Sequence, residues 1–507
     1  MLRVVTAGGM RALDAAASAE YSDIELMRRA GRAIASVARR LRPGGRVIAL
    51  AGYGNNGGDA FAALAELDGA VYERIALAFD PGERQSAARR DALARARAAG
   101  VSILTVGRDA DASFISGPHL YLDGLLGVGA RGGMSDEIRR LTRALNEGAQ
   151  GGIIALDVPT GVDATTGIAE PDAVKACATV TLGALKLGLL LETGRPYVGE
   201  LWFDDIGIGG EFDQTVPTEY VALDDRTAVS LLPRRAADGD KRQSGAPLVL
   251  AGSEQFPGAA VLCARAAGRA GAGYVTVATP RRAATAIRAH LVEQVVVEFD
   301  DDDATRAVAE ILDVAKRCGS IAIGPGLGLS ETLGTIVRTV IEQTPLPLVV
   351  DASGLFHLAK HLDILRGKRA VLTPHAGEFA RLSGRGTVQP TERISRLRTF
   401  VRENEIVTLL KGQTTLIDDG ARIALNTTGT PALATAGTGD VLTGMIATLL
   451  SQGLAPFDAA ALAAHWHGRA AQHASQARPI GVIAGDLPDS LAAAASERER
   501  STPLRVF

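Results

Sequence analysis

The sequence predicts two α/β domains, each built as three layers with a mostly parallel sheet between helices. Apolar runs of strand length alternate with longer segments of helical period, a pattern typical of sheets covered on both faces. Glycine-rich loops follow several of these runs. The alternation stops between about Glu211 and Gly245 and then restarts. We therefore expect one domain at residues 1–218 and a second at 219–507.

Composition narrows the possible classes of function. The 507 residues are 47% hydrophobic and carry a formal charge of −3, which gives no electrostatic case for binding nucleic acid or a membrane. No stretch is long and apolar enough to span a bilayer, and the N-terminus lacks a signal-peptide core. Three scattered cysteines fit reduced thiols. We expect a cytoplasmic protein whose ligands are small molecules.

The first domain begins with a helical pattern over residues 10–41 and continues into a strand, Arg46–Ala51. The loop GYGNNGGD follows the strand and leads into another helical pattern, as in the phosphate-binding half of a βαβ unit. Three of its glycines have the G-x-G-x-x-G spacing, and Asp80 ends the next apolar run. An NAD-dependent dehydrogenase is therefore one hypothesis, and a tight turn without a ligand is another.

Polar side chains follow other strands of the first domain. Asp123 lies near the end of HLYLDGLLG, and Asp157 and Thr160 follow the next apolar run. Asn56, Asp123 and Thr160 are expected to converge at the carboxyl edge of a parallel sheet. Amide, carboxylate and hydroxyl oxygens suit a hard cation, although each residue alone could simply form a turn. Lys186 lies near the same rim.

The stretch from Asn426 to Gly453 is the most informative part of the second domain. It passes from a loop of glycine, proline and threonine into an apolar helix, and Asp440 stands at the transition. The N–H groups of Gly437, Thr438 and Gly439 would lie free at the helix N-terminus and form an anion site. A carboxylate beside phosphate suggests a base for phosphoryl transfer. The alternative is that Asp440 only caps the helix.

Other strand ends of the second domain carry Asp351, His375 with Glu378, and Lys411 with Gly412. His375 is either a buried, hydrogen-bonded histidine or part of a site. Lys411 could meet phosphate with its ammonium group. The chain has no G-x-x-x-x-G-K-[ST] loop, so any nucleotide site is of another type.

The order of these motifs resembles the bifunctional NAD(P)H-hydrate repair enzymes over nearly the whole chain. GNNGGD, LDGLLGVGARGG and LDVPTGVDATTG are similar to motifs of their epimerase domain. IGPGLG, LTPHAGEF, LLKGQTTLI and GTGDVLTG are similar to motifs of their dehydratase domain. The resemblance implies a Rossmann-like domain that epimerises hydrated NADH and NADPH, and a ribokinase-like domain that dehydrates the S epimer. Dehydration would phosphorylate the hydroxyl with ADP or ATP and then release phosphate.

The resemblance also implies the residues of an epimerase site. Asp157 would contact the substrate and act as acid or base, with Lys186 as a second catalytic candidate. A potassium ion would bind Asn56, Asp123 and Thr160. Two loops would hold the substrate: Asn55, Asn56, Gly57, Gly58 and Asp59, and Gly127, Val128, Gly129, Ala130, Arg131, Gly132 and Gly133.

In the implied dehydratase site, Asp440 would be the catalytic base. It would contact the hydrated substrate together with Ala259, Gly326 and His375. Magnesium is expected with the nucleotide, and the chain is expected to form a homo-oligomer. The adenine nucleotide would contact Lys411, Gly412, Gln413, Thr414, Thr415, Gly437, Thr438 and Gly439.

The chain departs from the family pattern at several positions. Ala60 replaces a closing glycine, and Thr160 stands where serine is usual but keeps a hydroxyl. The other departures lie in the second domain, at Arg242, Ser353, Thr430 and Ala436. They raise the hypothesis of a weakened dehydratase. Two alternatives therefore stay open: a ribokinase-like kinase for a small molecule, and a non-catalytic scaffold that binds nucleotide.

Overall fold

The chain divides into two structural units, and most strands of each unit form one sheet. The computed structural model describes all residues except 81, 131, 213–215, 235–239, 478–479 and 497–502. The first unit comprises Leu2–Val221 together with residues 503–507, and the second begins at Ala222. The unit boundary therefore lies three residues after the expected one. The assignment of all of 219–507 to one domain is corrected, because the final residues join the first unit.

The first unit is built around a sheet of eight strands in the order β20-β9-β7-β6-β5-β2-β3-β4. Neighbouring strands are parallel except at the antiparallel pair β20 and β9. Two further strands, β1 and β8, pair in parallel. The strands are β1 (Leu2–Val5), β2 (Gly45–Ala51), β3 (Tyr72–Ala78), β4 (Ser102–Thr105), β5 (Leu120–Gly124), β6 (Ile153–Leu156), β7 (Ala178–Leu182), β8 (Leu185–Lys186), β9 (Glu200–Asp204) and β20 (Leu504–Arg505).

Helices cover this sheet, and two of them approach each other unusually closely. A Cβ atom at Gly31 would lie 2.6 Å from the Cβ of Ala62, so only glycine allows this contact. The contact fixes the helix that carries the GNNGGD motif. The helices are α1 (Ala7–Glu20), α2 (Asp23–Leu41), α3 (Asn55–Glu66), α4 (Ala87–Ala98), α5 (Asp136–Gly148), α6 (Leu187–Leu190) and α7 (Arg195–Val198).

The C-terminal segment completes the edge of the first sheet. The N–H of Val506 donates to the carbonyl of Leu201 at 2.7 Å, and the N–H of Leu201 donates to the carbonyl of Phe507 at 3.0 Å. Val506 is buried, and the guanidinium of Arg195 lies 3.4 Å from the centre of the Phe507 ring. The segment therefore covers an otherwise open strand edge.

The second unit has its own sheet, in the order β13-β12-β11-β14-β15-β16-β17-β18-β19. The strands are parallel from β13 to β17, and β18 and β19 are antiparallel. The strands from the unit boundary onward are β10 (Tyr220–Ala222), β11 (Pro247–Leu250), β12 (Thr276–Pro280), β13 (Val295–Phe299), β14 (Ser320–Ile323), β15 (Leu348–Val350), β16 (Ala370–Leu372), β17 (Val407–Leu410), β18 (Thr415–Asp418) and β19 (Ile423–Asn426).

One helix of the second unit, α16, is buried along most of its length. It is apolar on nearly every side, as expected for a helix inside a large core. Thr448 donates to the carbonyl of Ala267 on α9 at 3.0 Å. The helices are α8 (Asp225–Leu231), α9 (Pro257–Arg269), α10 (Arg281–Arg288), α11 (Ala304–Ala315), α12 (Glu331–Gln343), α13 (Ser353–Leu358), α14 (Ala376–Ser383), α15 (Arg393–Asn404), α16 (Thr438–Ser451), α17 (Pro456–Ala477) and α18 (Leu487–Ser496).

The predicted fold class is confirmed, because each unit is an α/β structure with a mostly parallel sheet. Within the described part of the chain, no helix is long and apolar enough to cross a membrane.

A chain that ends after residue 502 should have a less stable first unit. The truncation removes the buried Val506 side chain and the hydrogen bonds to β9. We expect a loss of about 2 kcal/mol in the free energy of unfolding, measured with urea. The control is Arg505→Ala, which keeps the backbone hydrogen bonds and the Val506 side chain. It removes the exposed ion pair with Glu200 and the contact with the Trp202 ring, and it should cost less than about 1 kcal/mol. Equal stability of the truncated and full chains would contradict the prediction.

Candidate active sites

The glycine loop of the first unit runs directly into a helix, as predicted. Helix α3 begins at Asn55, so the N–H groups of its first turn point toward an open end. A Cβ atom at Gly52 would collide with the carbonyl of Leu125. Buried Arg89 donates to the Gly52 carbonyl at 3.0 Å and supports the loop from behind. Gly52 thus allows close packing against Leu125, and the glycine loop leaves the N-terminus of α3 accessible.

Asp80, which the dehydrogenase hypothesis would place on a ribose, makes a hydrogen bond within its own loop. Its carboxylate accepts the N–H of Gly82 at 2.9 Å and so forms a local turn.

The structure brings the two predicted catalytic residues of the first unit together. Asp157 follows β6 with a φ of +65°, a backbone conformation that is rare for residues other than glycine. Its Oδ1 accepts hydrogen bonds from the Nζ of Lys186 and, at 3.2 Å, from the N–H of Leu182. Lys186 is only 1% exposed and also donates to the Leu182 carbonyl at 2.5 Å. The pair is a buried ammonium held by a carboxylate at the carboxyl edge of the sheet.

Two further carboxyl groups act on this pair electrostatically, and one of them, Asp14, was missed by sequence reasoning. Asp14 retains exposed surface, yet partial burial of its carboxyl raises its pKa to about 6; Lys186 opposes this rise and Asp157 adds to it. Burial raises the pKa of Asp59 well above its usual value, and Asp157 and Asp14 raise it further. Three carboxyl groups therefore lie within electrostatic reach of one ammonium group, and two of them, Asp14 and Asp59, favour holding protons. Asp14 was missed because it lies within an Ala-rich helix and not at a strand end.

The three predicted cation ligands also come together. The hydroxyl of Thr160 donates to Oδ1 of Asp123 at 2.7 Å, and its N–H donates to Oδ2 at 2.8 Å. The amide of Asn56 donates to the carbonyl of Leu126 at 3.0 Å, and the N–H of Leu126 donates to the Thr160 hydroxyl at 3.1 Å. The Oδ1 atom of Asn56 is buried and has no hydrogen-bond partner among the described residues. An orphaned oxygen beside a buried carboxylate fits a cation.

The second predicted substrate loop lies beside this group. A Cβ atom at Gly127 would lie 3.3 Å from the Cβ of Asn56, so the loop starts next to the cation ligands. At the other end of the loop, the N–H of Met134 donates to Glu170. Arg131 lies outside the described residues. Sequence reasoning missed Leu126, because it contributes through its backbone, and a residue of any type could supply the same backbone groups.

Ala60 is tolerated because its neighbour is small. Its methyl group is buried, and a Cβ atom at Gly124 would lie 2.9 Å from it. The departure at this position is therefore accommodated by glycine on the adjacent strand.

In the second unit, the predicted base stands at the start of α16. Gly437, with a φ of +91°, occupies the N-cap position, and Thr438 is the first helical residue. The prediction of a loop-to-helix transition at Asp440 is correct, and the capping alternative is wrong, because Gly437 occupies the cap position. The first turn of α16 and the Asp440 carboxylate lie at one helix terminus, where the N–H of Thr438 already donates to the carbonyl of Thr435 at 3.4 Å.

Asp440 has the electrostatics of a base that works near neutral pH. Burial raises its pKa to about 7; the Asp351 carboxylate adds to the rise, and the Lys411 ammonium opposes it. Asp351 and Lys411 form an ion pair of 2.8 Å. A general base is most effective when its pKa lies close to the working pH.

His375 is a helix cap, and it is exposed instead of buried. Its Nδ1 accepts the N–H of Gly377 at 3.0 Å at the start of α14, and the Glu378 carboxylate accepts the N–H of His375 at 2.8 Å. Because Nδ1 is an acceptor, the ring's own N–H is on Nε2 when the ring is neutral. The ring is 61% exposed, and its Nε2 lies 3.5 Å from the Glu378 carboxylate.

Two other predicted substrate contacts meet at the first turn of α9. Gly326 has a φ of +63°, and a Cβ atom there would lie 2.8 Å from the Cβ of Ala259 and 2.6 Å from the Phe256 carbonyl. The loop after β14 therefore lies against the first turn of α9.

The predicted nucleotide residues lie at the end of β17 and the start of β18. The N–H of Lys411 donates to the carbonyl of Pro374 at 2.9 Å. Arg393, which sequence reasoning missed, donates to the carbonyls of Leu410 and Lys411 at 3.2 and 3.1 Å. A Cβ atom at Gly412 would collide with the Arg393 guanidinium. The buried Arg393 side chain therefore holds the backbone of this loop in place.

The departures in the second unit have structural explanations. Arg242 stacks over the Tyr274 ring at 4.6 Å and donates to the Arg317 carbonyl at 2.8 Å. This loop precedes β11, whereas Asp440 lies near the opposite, carboxyl ends of the strands, so the change does not touch the site. The Ser353 hydroxyl accepts the N–H of Gly328 at 3.3 Å. Thr430 caps a short 3₁₀ turn, and Ala436 is exposed.

Both halves of the chain match described protein families. Residues 23–188 match the family described as YjeF-related protein N-terminus, and residues 247–493 match the family described as NAD(P)H-hydrate dehydratase. A bifunctional NAD(P)H-hydrate repair enzyme of Salinibacter ruber is 36% identical over 98% of this chain and 96% of that protein. Its counterpart in Moorella thermoacetica is 35% identical over 96% of each chain.

Among solved structures, an ADP/ATP-dependent NAD(P)H-hydrate dehydratase of Bacillus subtilis, co-crystallised with ATP and Mg²⁺, is 32% identical. It covers 54% of this chain and 96% of its own, with a TM-score of 0.49.

Asp440→Asn should stabilise the protein at alkaline pH. Because the folded pKa of Asp440 is raised from 3.8 to about 7, its contribution to stability is fully present below pH 3.8 and is lost as pH rises through 7. The variant does not ionise there, so it should be more stable than the wild type by about 2 kcal/mol at pH 8. The difference should shrink below about pH 5.

Urea unfolding of the ligand-free full chain at several pH values measures this difference. Glu342→Gln, on an exposed position of α12, is the control and should leave stability nearly unchanged. A difference that is independent of pH would contradict the assignment of the raised pKa to Asp440.

Proposed function

Because the chain belongs to the family of bifunctional NAD(P)H-hydrate repair enzymes, we propose that it restores NADH and NADPH from their hydrates. The first unit interconverts the R and S hydrates, and the second uses ADP or ATP to dehydrate the S form. The observation that carries the proposal is Asp440, a base with a pKa of about 7 at a helix terminus that suits phosphate.

Epimerisation requires a bond of the hydroxyl-bearing carbon to break and to re-form on the other face. The electrons of the C–O bond leave with oxygen, which takes up a proton and departs as water, while the ring nitrogen stabilises the carbon. Water then adds to the opposite face and releases a proton. Asp14 and Asp59 favour the protonated state and suit the donor role, whereas Asp157, paired with Lys186, suits the acceptor role.

We propose that a potassium ion binds the group formed by Asn56, Asp123 and Thr160. The proposal is supported by the orphaned Asn56 oxygen and the buried Asp123 carboxylate. A cation there supplies fixed positive charge beside the loop that would receive the phosphates of the dinucleotide.

Potassium should raise the thermal midpoint of the first unit, because a ligand that binds only the folded state stabilises it. We expect about 1–3 kcal/mol of stabilisation at saturating potassium and little with lithium, whose strongly held hydration shell the site cannot replace. Asn56→Leu, which removes the orphaned oxygen, should lose the response.

The neighbouring variant Asn55→Leu serves as the control for this experiment. Asn55 accepts a hydrogen bond from Ser86 and is not a proposed ligand, so this variant should keep the potassium response. Equal stabilisation of the wild type and Asn56→Leu would rule out the proposed site.

Dehydration in the second unit needs a good leaving group, because hydroxyl leaves poorly. Asp440 takes the hydroxyl proton, and the oxygen attacks the terminal phosphoryl group of the nucleotide. The bridging P–O bond breaks, and AMP leaves from ADP, or ADP leaves from ATP. The N–H groups of Gly437 and Gly439 stabilise the charge on that phosphoryl group, whereas the N–H of Thr438 donates to the carbonyl of Thr435. Phosphate then leaves with the C–O electrons, and loss of a proton from the adjacent carbon restores the double bond of NADH.

The nucleotide is expected against Lys411 and the following loop to Thr415. Magnesium fits poorly as an ion held by the protein alone. Both carboxylate oxygens of Asp351 already accept hydrogen bonds, and the described residues hold no cluster of three metal-ligating side chains. A cytoplasmic location and a homo-oligomer stay predictions from the sequence.

Asp440→Asn should abolish dehydration while leaving ADP binding and epimerisation intact. The substitution keeps the size of the side chain and removes its ability to take a proton, so we expect a loss of at least about 100-fold in kcat. The return of NADH absorbance from the separated S hydrate with ADP measures dehydration. Chromatographic interconversion of the two hydrates measures epimerisation.

Asp157→Asn is the matched variant and should give the opposite result. It should stop epimerisation and spare dehydration. If the wild type regenerates no NADH from either hydrate, the dehydratase proposal fails, and the alternatives of a small-molecule kinase or a scaffold gain support.

A further inference from the structure

Asp351 is a buried carboxylate to which the proposed reaction assigns no role. It directly follows β15 and is 2% exposed. Its Oδ1 accepts a hydrogen bond from the Nζ of Lys411 at 2.8 Å, and its Oδ2 accepts one from the hydroxyl of Thr443 at 2.8 Å. One carboxylate thus joins the end of β17 to α16.

The same carboxylate lies against the helical turn that carries the base. Thr443 follows Asp440 by three residues, so the two side chains lie on neighbouring positions of α16. The Thr443 hydroxyl also lies 3.0 Å from the carbonyl of Gly439. A Cβ atom at Gly439 would lie 3.4 Å from the Nζ of Lys411 and 3.6 Å from Oδ2 of Asp351. The first turn of α16 therefore packs directly onto the ion pair.

We propose that Asp351 is a positioning residue for dehydration, which fixes Lys411 and the first turn of α16 and thereby sets the place and the charge environment of Asp440. The inference rests on the function proposed above and deepens it. Asp351 need not touch substrate, because its effect reaches the reaction through Lys411 and Asp440.

The groups that face Asp440 from the surrounding elements support this role. Asp351 from β15 and Lys411 from β17 are its charged neighbours, and Glu378 on α14 lies 4.0 Å from Lys411. Two other neighbours are neutral at pH 7. Burial raises the pKa of the Cys263 thiol on α9, and burial lowers the pKa of His467 on α17 to about 4.

Asp351 and Lys411 therefore act on the base in opposite directions. The Asp351 carboxylate raises the pKa of Asp440, and the Lys411 ammonium lowers it. Replacement of Asp351 by asparagine removes a negative charge and releases the ammonium group from its ion pair. Both changes favour ionised Asp440, so the base should work at lower pH.

The test measures dehydration of the S hydrate with ADP by the full chain between about pH 5 and pH 9. In Asp351→Asn, the acid limb of the kcat profile should move about one pH unit lower, and KM for ADP should rise several-fold as Lys411 loses its anchor. Thr443→Val keeps the Asp351 charge, so kcat should fall about tenfold without a shift of the limb. Thr443→Ser restores the hydroxyl and should recover the rate.

Three results would overturn the inference: an acid limb of Asp351→Asn that coincides with that of the wild type, an equal shift in Thr443→Val, or a wild-type kcat in Thr443→Val. If Asp351→Asn does not fold, the threonine pair still decides the positioning role. If the wild type itself regenerates no NADH, the proposed function fails separately. Carbon NMR titration of Asp440 in both proteins then decides the inference: a lower titration pH in Asp351→Asn supports it, and coincident curves overturn it.

Discussion

A lysine paired with an aspartate at the carboxyl edge of a parallel sheet is the interaction on which each unit depends; Lys186 is buried and Lys411 is partly buried. Lys186 with Asp157 fills this place in the first unit, and Lys411 with Asp351 fills it in the second. A buried ammonium is costly without a partner, so each pair holds the loops that supply it in one arrangement. The same charges hold nearby carboxyl groups near the protonation state that proton transfer needs.

The sequence predicts much of this arrangement because strand ends and helix starts are recognisable from short, local patterns of residues. The start of α16, with Asp440 in its first turn, and the convergence of Asn56, Asp123 and Thr160 both follow from spacing and parallel topology. The predicted helical region 10–41 is two helices, because Ser22 begins a new one.

What the sequence does not predict comes from contacts between distant segments. Arg393 reaches the nucleotide loop from another helix, and Leu126 contributes a backbone oxygen. Asp14 gains its importance only from the charges that the fold places around it. Such partners are separated in the chain and are recognisable only when packing is known. The departures from the family pattern likewise look harmful in isolation, yet Arg242 stacks on a tyrosine away from Asp440.

The return of residues 503–507 to the first sheet has a consequence for how the two activities are linked. A ribosome completes the second unit before it makes the strand that closes the first, so the first unit to be translated is the last to be finished. The two activities cannot be separated by a single cut without leaving one sheet incomplete. A tag fused after residue 507 would sit beside the first unit, although it follows the second in the chain.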